Sequence, residues 1–256
     1  MLAALGGRWH DVRVVTETGS TNADLLAEAR NGAPEGLVLA AESQTAGRGR
    51  LGRRWASPPR AALTFSVLLR PREVPPGSRG WVPLLAGVAV AAVLSAEAGV
   101  AARLKWPNDV LVDGAKVAGI LAEQAGDAIV VGTGINVSTR RDELPASGAT
   151  SLVLAGAACA DREYLLACVL AGLERRYLAW TGAVTQQDSV CKDRGGGLRA
   201  EYLRLSGTIG HPVRVLLPGG KELAGTAQDV DEVGRLVIRT ASGLIPVSAG
   251  DVVHLR

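Results

Sequence analysis

The segment QTAGRGRLGRRW, residues 44–55, places Arg48, Arg50, Arg53 and Arg54 in a glycine-rich stretch. Guanidinium groups offer fixed forks of donors to carboxylates and phosphates, and glycine lets the backbone approach a ligand closely, so this composition suits wrapping an anion. Further on, KWPNDVLVDGAKVAGIL carries Lys105 and Lys116, two of only four lysines against 24 arginines. Lys116 follows a hairpin turn, and a lysine so held is a compact positive charge suited to a carboxylate meeting a phosphate. The bland reading of both lysines is solvated charge at a strand edge. Asn108 and Asp109, after Pro107, can form a side-chain-stabilised turn. Ser20, Thr21 and Asn22 in GSTN read on their own as a helix cap. GTGINV reads as a strand end, with Gly134 permitting close backbone approach and Asn136 offering amide donors and acceptors.

Gly47, Gly49 and Gly52 also satisfy G-x-G-x-x-G, the dinucleotide-binding pattern. That pattern requires a strand before the glycines and a helix opening directly after them. GLVLAAES supplies a strand, but Pro58 and Pro59 stand where the first helical turns should be, so the mechanism fails although the spacing matches. The chain has no G-x-x-x-x-G-K-[ST], H-E-x-x-H or G-x-S-x-G sequence. Its three histidines, His10, His211 and His254, are scattered, and triad chemistry is not indicated.

Several elements must hold these groups in place. VRVVTETGSTNADLLAEARNG reads as a strand, a polar turn and a helix, with Thr21 and Asp24 as a capping-box-like start and Gly32 as the stop. ALTFSVLLR is a further strand. WVPLLAGVAVAAVLSAEAGVAA, broken by Glu97 before a comfortable spanning length, reads as a buried core helix rather than a membrane span. RLKWPNDVLVDGAKVAGILAEQ and DAIVVGTGINV give three strands, with Asp113-Gly114 as a tight turn. Leu165, Leu166, Val169, Leu170, Leu173 and Tyr177 recur at helical spacing between residues 161 and 180. TGAVTQQDSVCKDRGGGLR reads as a flexible connection, and short strands with regular turn residues follow it. The expectation is an α+β protein with a mixed sheet and packed helices over residues 1–205, and a small β-barrel over residues 206–256.

At 256 residues, 47% hydrophobic and 21% charged, the chain is an ordinary globular sequence long enough for a sizeable core. A net charge of +3 is spread along the chain rather than gathered in a basic arm, which argues against specific nucleic-acid binding. Cys159, Cys168 and Cys191 have no C-x-x-C spacing and leave one unpaired, so a reducing cytoplasm fits better than a disulfide framework or a zinc site. No signal-peptide pattern opens the sequence.

Taken together and in order, STN, QTAGRGRLGR, KWPND, KVAGIL, GTGINV and the ending GDVVHLR resemble the biotin protein ligases, over nearly the full length. The resemblance implies the class II synthetase-like fold of biotin and lipoate ligases with an SH3-like C-terminal barrel. It implies an ATP- and Mg2+-dependent ligase that forms biotinyl-5'-AMP and passes biotin to a lysine of a biotin carboxyl carrier domain. By that resemblance, Ser20, Thr21, Asn22 and Gln44 surround the bicyclic head of biotin. Arg48, Gly49 and Arg50 close over the valerate carboxylate and phosphate, and Trp55 covers the nucleotide. Lys116 bridges the biotin carboxylate and the α-phosphate, Asn136 lies near adenine, and Lys105 and Asp109 support the phosphate and magnesium side.

Two departures stand out. Barely ten residues precede the first strand, where many members carry a DNA-binding module, so the expectation is a monofunctional enzyme without specific DNA binding. Leu51 stands where the family often has a polar or basic residue. The oligomeric expectation is a monomer or a weak, ligand-linked dimer. The rivals are a lipoate protein ligase of the same fold and a non-catalytic biotin-sensing or polyanion-binding module. A purely apolar dithiolane would not need the polar set Ser20, Thr21 and Gln44.

Overall fold

The computed structural model describes residues 7–144, 148–185 and 197–255. In chain order the elements are β1 (Asp11–Val15), α1 (Thr21–Arg30), β2 (Leu37–Ala41), β3 (Ala62–Leu69), α2 (Trp81–Glu97), β4 (Ala102–Lys105), β5 (Asp109–Val112), β6 (Ala115–Ala125) and β7 (Ala128–Asn136). There follow α3 (Arg162–Thr185), α4 (Leu198–Leu205), β8 (Pro212–Leu216), β9 (Glu222–Val230), β10 (Leu236–Thr240), β11 (Gly243–Val247) and β12 (Asp251–His254). The segment from Ala102 to Asn136 contains four strands rather than three, because the turn at Trp106–Asn108 separates β4 from β5.

Seven strands form a mixed sheet in the order β1-β2-β3-β7-β6-β5-β4, parallel only between β1 and β2. Both faces of its centre are covered, which explains why β2 and β3 are apolar or small along their length and buried throughout. Leu37, Leu39, Leu68 and Val130 point to the α1 side and meet Leu25, Leu26 and Ala29. Val38, Phe65, Val67 and Val131 point the other way, into the larger core with α2 and α3.

Residues Pro76–Glu97, which are α2 and the turn before it, are long and apolar enough to cross a membrane, yet most of that stretch is enclosed by the protein. Leu85, Val88, Ala89, Val90, Ala91 and Leu94 have no exposed surface, and the helix packs between the sheet and α3 and α4. Its many alanines permit that close approach. The helix α3 runs to Thr185, so the first five residues of the expected flexible connection are helical; residues 186–196 of that stretch lie outside the described residues.

The C-terminal module is an antiparallel sheet of five strands in the order β11-β10-β9-β8-β12. Its end strands do not pair with each other, so the expected barrel is found as an open sheet rather than as a ring of paired strands. Its inward residues Val213, Val215, Val230, Leu236 and Ile238 belong to the same continuous core as α2. Two indoles join the modules: Trp81 Nε1 donates to Glu232 O at 3.0 Å and Trp106 Nε1 to Gly234 O at 3.2 Å.

Candidate active site

The side of the large sheet that lies under α1 continues past the start of that helix as a low floor. Pleating sends alternate residues to one face. Following Leu68 and Val130 along their strands in steps of two therefore brings Ser66, Gly132 and Gly134 to that face, with Gly119, Leu121 and Glu123 aligned beside them on β6. Small residues are required here. A Cβ on Gly132 would stand 2.2 Å from Asn22 Oδ1, and one on Gly134 would stand 2.4 Å from the Trp55 ring.

The rim above the floor starts at the N-terminus of α1. Ser20 is the helix cap, with Oγ accepting from Ala23 N at 3.4 Å; the expected capping residue Thr21 is instead the first helical residue. Thr21 donates to Gln44 Oε1 from N at 2.8 Å and from Oγ1 at 3.1 Å, and Ser66 Oγ donates to Thr21 Oγ1 at 2.7 Å. Asn22 Oδ1 lies 2.6 Å from the same Ser66 Oγ, whose single proton the two acceptors share, while Nδ2 donates to Leu121 O at 3.1 Å and to Glu123 Oε2 at 2.8 Å. Ser20, Thr21, Asn22 and Ser66 are buried. Such a network fixes each amide and hydroxyl in one orientation.

The glycine-arginine loop crosses this rim. Its strand is β2; the last glycine, Gly52, closes a short 3-10 turn, Arg50–Gly52, with Leu51 and Gly52 at φ 55° and 73°, and no helix opens between it and β3. The absent helix agrees with the rejection of a dinucleotide-binding turn. A cavity of about 700 Å3 is lined by Thr45 to Arg54, Leu121 and Glu123. Arg48 Nη2 donates to Glu123 Oε2 at 3.2 Å, and Gly49 N donates to Arg53 O at 2.7 Å. Arg50 reaches Asn108 Oδ1 at 3.2 Å and Gly250 O at 3.4 Å, while Arg53 pairs with Asp251. Burial draws the Arg50 guanidinium below its usual value, and the nearby Asp109 carboxylate pulls the other way. It remains a cation.

Behind the loop, the Trp55 indole lies against Gly119 and Gly134, and its Nε1 is buried with no hydrogen-bond partner. Lys116 Nζ also stands near Gly119 and lies 2.5 Å from Asp109 Oδ1. That oxygen is in ionic contact with the ammonium, but no donor meets it in hydrogen-bonding geometry. Lys105 sits opposite Asp109 in the β4–β5 register.

Asn136 ends β7 and donates from Nδ2 to Thr150 O at 3.0 Å. The same segment braces Lys116, since Lys116 N donates to Gly148 O at 2.8 Å and Thr150 N to Lys116 O at 2.9 Å.

The structure thus gathers Thr21, Asn22 and Gln44 in one network, Lys116 and Asp109 in an ion pair, and Trp55 against the floor between them. Arg48 joins the first group only through Glu123, and Arg50 turns toward Asn108 and the C-terminal sheet. Sequence reading missed Ser66 and Glu123, and noted Asn108 only as a turn residue and Asp251 only within the ending GDVVHLR. For Ser66 the signal was available, since a polar residue on the inward face of an otherwise apolar strand marks a site. For Asp251 the motif carried no role, because its partner Arg53 lies in a distant part of the chain.

Among the described residues no three or more His, Cys, Asp or Glu side chains group as a metal site. A magnesium ion commonly takes one or two carboxylates and substrate phosphates, and the buried Asp109 Oδ1 without a hydrogen bond fits that share.

Residues 14–139 match the biotin/lipoate A/B protein ligase family, and residues 208–255 match the biotin protein ligase C-terminal domain. A biotin--[acetyl-CoA-carboxylase] ligase of Mycobacterium tuberculosis is 46% identical over 100% of this chain and 93% of its own. Another, from Paracoccus denitrificans, is 33% identical over 93% of this chain and 98% of its own. Among solved structures, the biotin protein ligase from Aquifex aeolicus in complex with biotin and ATP is 29% identical with a TM-score of 0.79, covering 96% of this chain and 99% of that one. With identity of this order running through both sheets, the chain belongs to the biotin protein ligase family.

Proposed function

We propose that the protein is an ATP-dependent ligase that activates biotin as biotinyl-5'-AMP and transfers it to a lysine of a biotin carboxyl carrier domain. The observation that carries this reading is the convergence of a polar head pocket, an arginine loop lining a cavity, and the Lys116–Asp109 pair, with Trp55 against Gly119 and Gly134 between them. In the first step a biotin carboxylate oxygen attacks the α-phosphorus of ATP and pyrophosphate leaves. Two anions must meet, so fixed cations that strengthen their hold as charge redistributes lower the barrier. Lys116 takes that position, with Arg48 and Arg50 on the carboxylate and phosphate; Asp109 orients the Lys116 ammonium. A magnesium ion, when bound, neutralises phosphate charge on the Asp109 and Lys105 side. In the second step the carrier lysine amine attacks the acyl carbon and AMP leaves.

Ser20, Thr21, Asn22 and Gln44 take the biotin head, whose ureido group needs both donors and acceptors. Gly49 brings the loop backbone close, Trp55 covers the nucleotide, and Asn136 lies near adenine. The division of labour falls at residues 205/206, a reading supported by the end of α4 at Leu205 and the family match from residue 208. A soluble cytoplasmic enzyme, monomeric or weakly dimeric with ligand, completes the proposal.

The test is transfer of labelled biotin from biotin and ATP to a carrier domain, with lipoate as competitor. Labelling of the carrier with release of pyrophosphate and AMP is expected. Binding of biotin without pyrophosphate release would reduce the protein to a sensor, and labelling abolished by equimolar lipoate would redirect the substrate assignment.

A further inference from the structure

Glu123 has no place in the reaction as assigned, yet among the described residues it is the only acid lining the cavity that four arginines share. One of its oxygens, Oε2, accepts from Asn22 Nδ2 at 2.8 Å and from Arg48 Nη2 at 3.2 Å. It therefore ties the rim of the head pocket to the loop that crosses it. A carboxylate in this position does two things that oppose each other. It holds Asn22 and Arg48 in place, and it competes with any ligand carboxylate for the Arg48 guanidinium.

We propose that Glu123 is a positioning residue and an internal competitor: a ligand carboxylate that engages Arg48 does so by exchange with the Glu123 carboxylate. This rests on the reading of the protein as a biotin ligase. The pair is built for exchange. The Arg48 side chain is 46% exposed and that of Glu123 26% exposed, and ion pairs open to water are weak. The Asn22 contact is the buried half of the arrangement, which keeps Glu123 beside the loop when Arg48 leaves. No covalent step is involved; one guanidinium changes carboxylate partners.

The test compares biotin with biotin methyl ester, which keeps the bicyclic head and lacks the charge, by calorimetric titration of wild type, Glu123→Gln and Glu123→Ala. Glutamine retains an acceptor for Asn22 and removes the competing charge. Biotin should then bind about two- to fivefold more tightly to Glu123→Gln, the range expected of an exposed pair, while the ester is unchanged. The tightening should shrink when Arg48→Gln is added. Glu123→Ala, which also strips Asn22 of its partner, should weaken both ligands. A brace without exchange would move biotin and ester equally, and that result, or weaker biotin binding in Glu123→Gln, overturns the proposal. Wild-type pyrophosphate release in the same preparation separates this failure from failure of the ligase assignment.

Discussion

In the proposed reaction, Lys116 is the residue on which the chemistry turns. Its ammonium is paired with Asp109 at 2.5 Å, and its backbone is clamped on both sides by Gly148 and Thr150. A charge so fixed does little for biotin alone and most for the moment at which carboxylate and phosphate join. Lys116→Ala should therefore abolish adenylate formation while biotin binding falls far less; wild-type-like pyrophosphate release from a folded variant would end the assignment. Gly134 offers a second check on the floor of the site. A methyl group there would meet the Trp55 ring at 2.4 Å, against rigid aromatic carbons. Gly134→Ala should displace the indole and raise the KM for ATP more than that for biotin, with the Trp55 contribution to fluorescence altered; unchanged emission and KM values would show that Trp55 does not rest on this floor. At this scale the sequence singles out candidate types, because rare lysines and clustered arginines stand out. It could not recover Glu123, whose partners Asn22 and Arg48 are joined only by the fold.

At the scale of elements, the loop's arginines moor it at three places: to β6 through Arg48 and Glu123, to the turn before β5 through Arg50 and Asn108, and to the C-terminal sheet through Arg53 and Asp251. The sequence announced a wrapping loop but not its moorings. Arg50→Gly removes a five-donor fork that holds Asn108 and Gly250 O, and it adds backbone freedom to a segment that, in the proposed reaction, encloses the intermediate. Loss of a charge-assisted contact of this kind costs about 1.5 to 3 kcal/mol, or roughly ten- to a hundredfold in escape of the adenylate. Released mixed anhydride acylates any exposed lysine. With biotin, ATP and albumin but no carrier domain, Arg50→Gly should label more albumin per pyrophosphate than wild type does. Equal ratios would show that Arg50 does not retain the intermediate.

For the whole molecule, the alternation of short strands after residue 206 foretold a β module, but not that its core is continuous with that of the large sheet. Period-two patterning reports which face is apolar, not what that face meets. The junction is polar as well. Thr208, fully buried, accepts from Trp106 N at 3.2 Å and contacts His254 Nε2 at 3.2 Å, so a hydroxyl from the C-terminal module holds the turn that carries Asn108. His254 stacks on His211 with ring centroids 6.0 Å apart. Burial lowers its pKa, and the positive charges of Lys105 on β4 and of His211 before β8 lower it further. The folded protein thus favours neutral His254, whereas the unfolded chain takes up a proton near pH 6.5. Stability from this residue is complete above that value and is lost as the pH falls through it toward the lower folded pKa. The melting temperature of wild type should accordingly drop between about pH 7.5 and 5.5, above the range in which carboxylates titrate. In His254→Gln, which keeps a neutral partner for Thr208 and cannot take the proton, that drop should be smaller, while His211→Gln should leave most of it in place. Parallel melting curves for wild type and His254→Gln across this window would show that the proton is taken up elsewhere, and that the junction beneath the KWPND turn is insensitive to it.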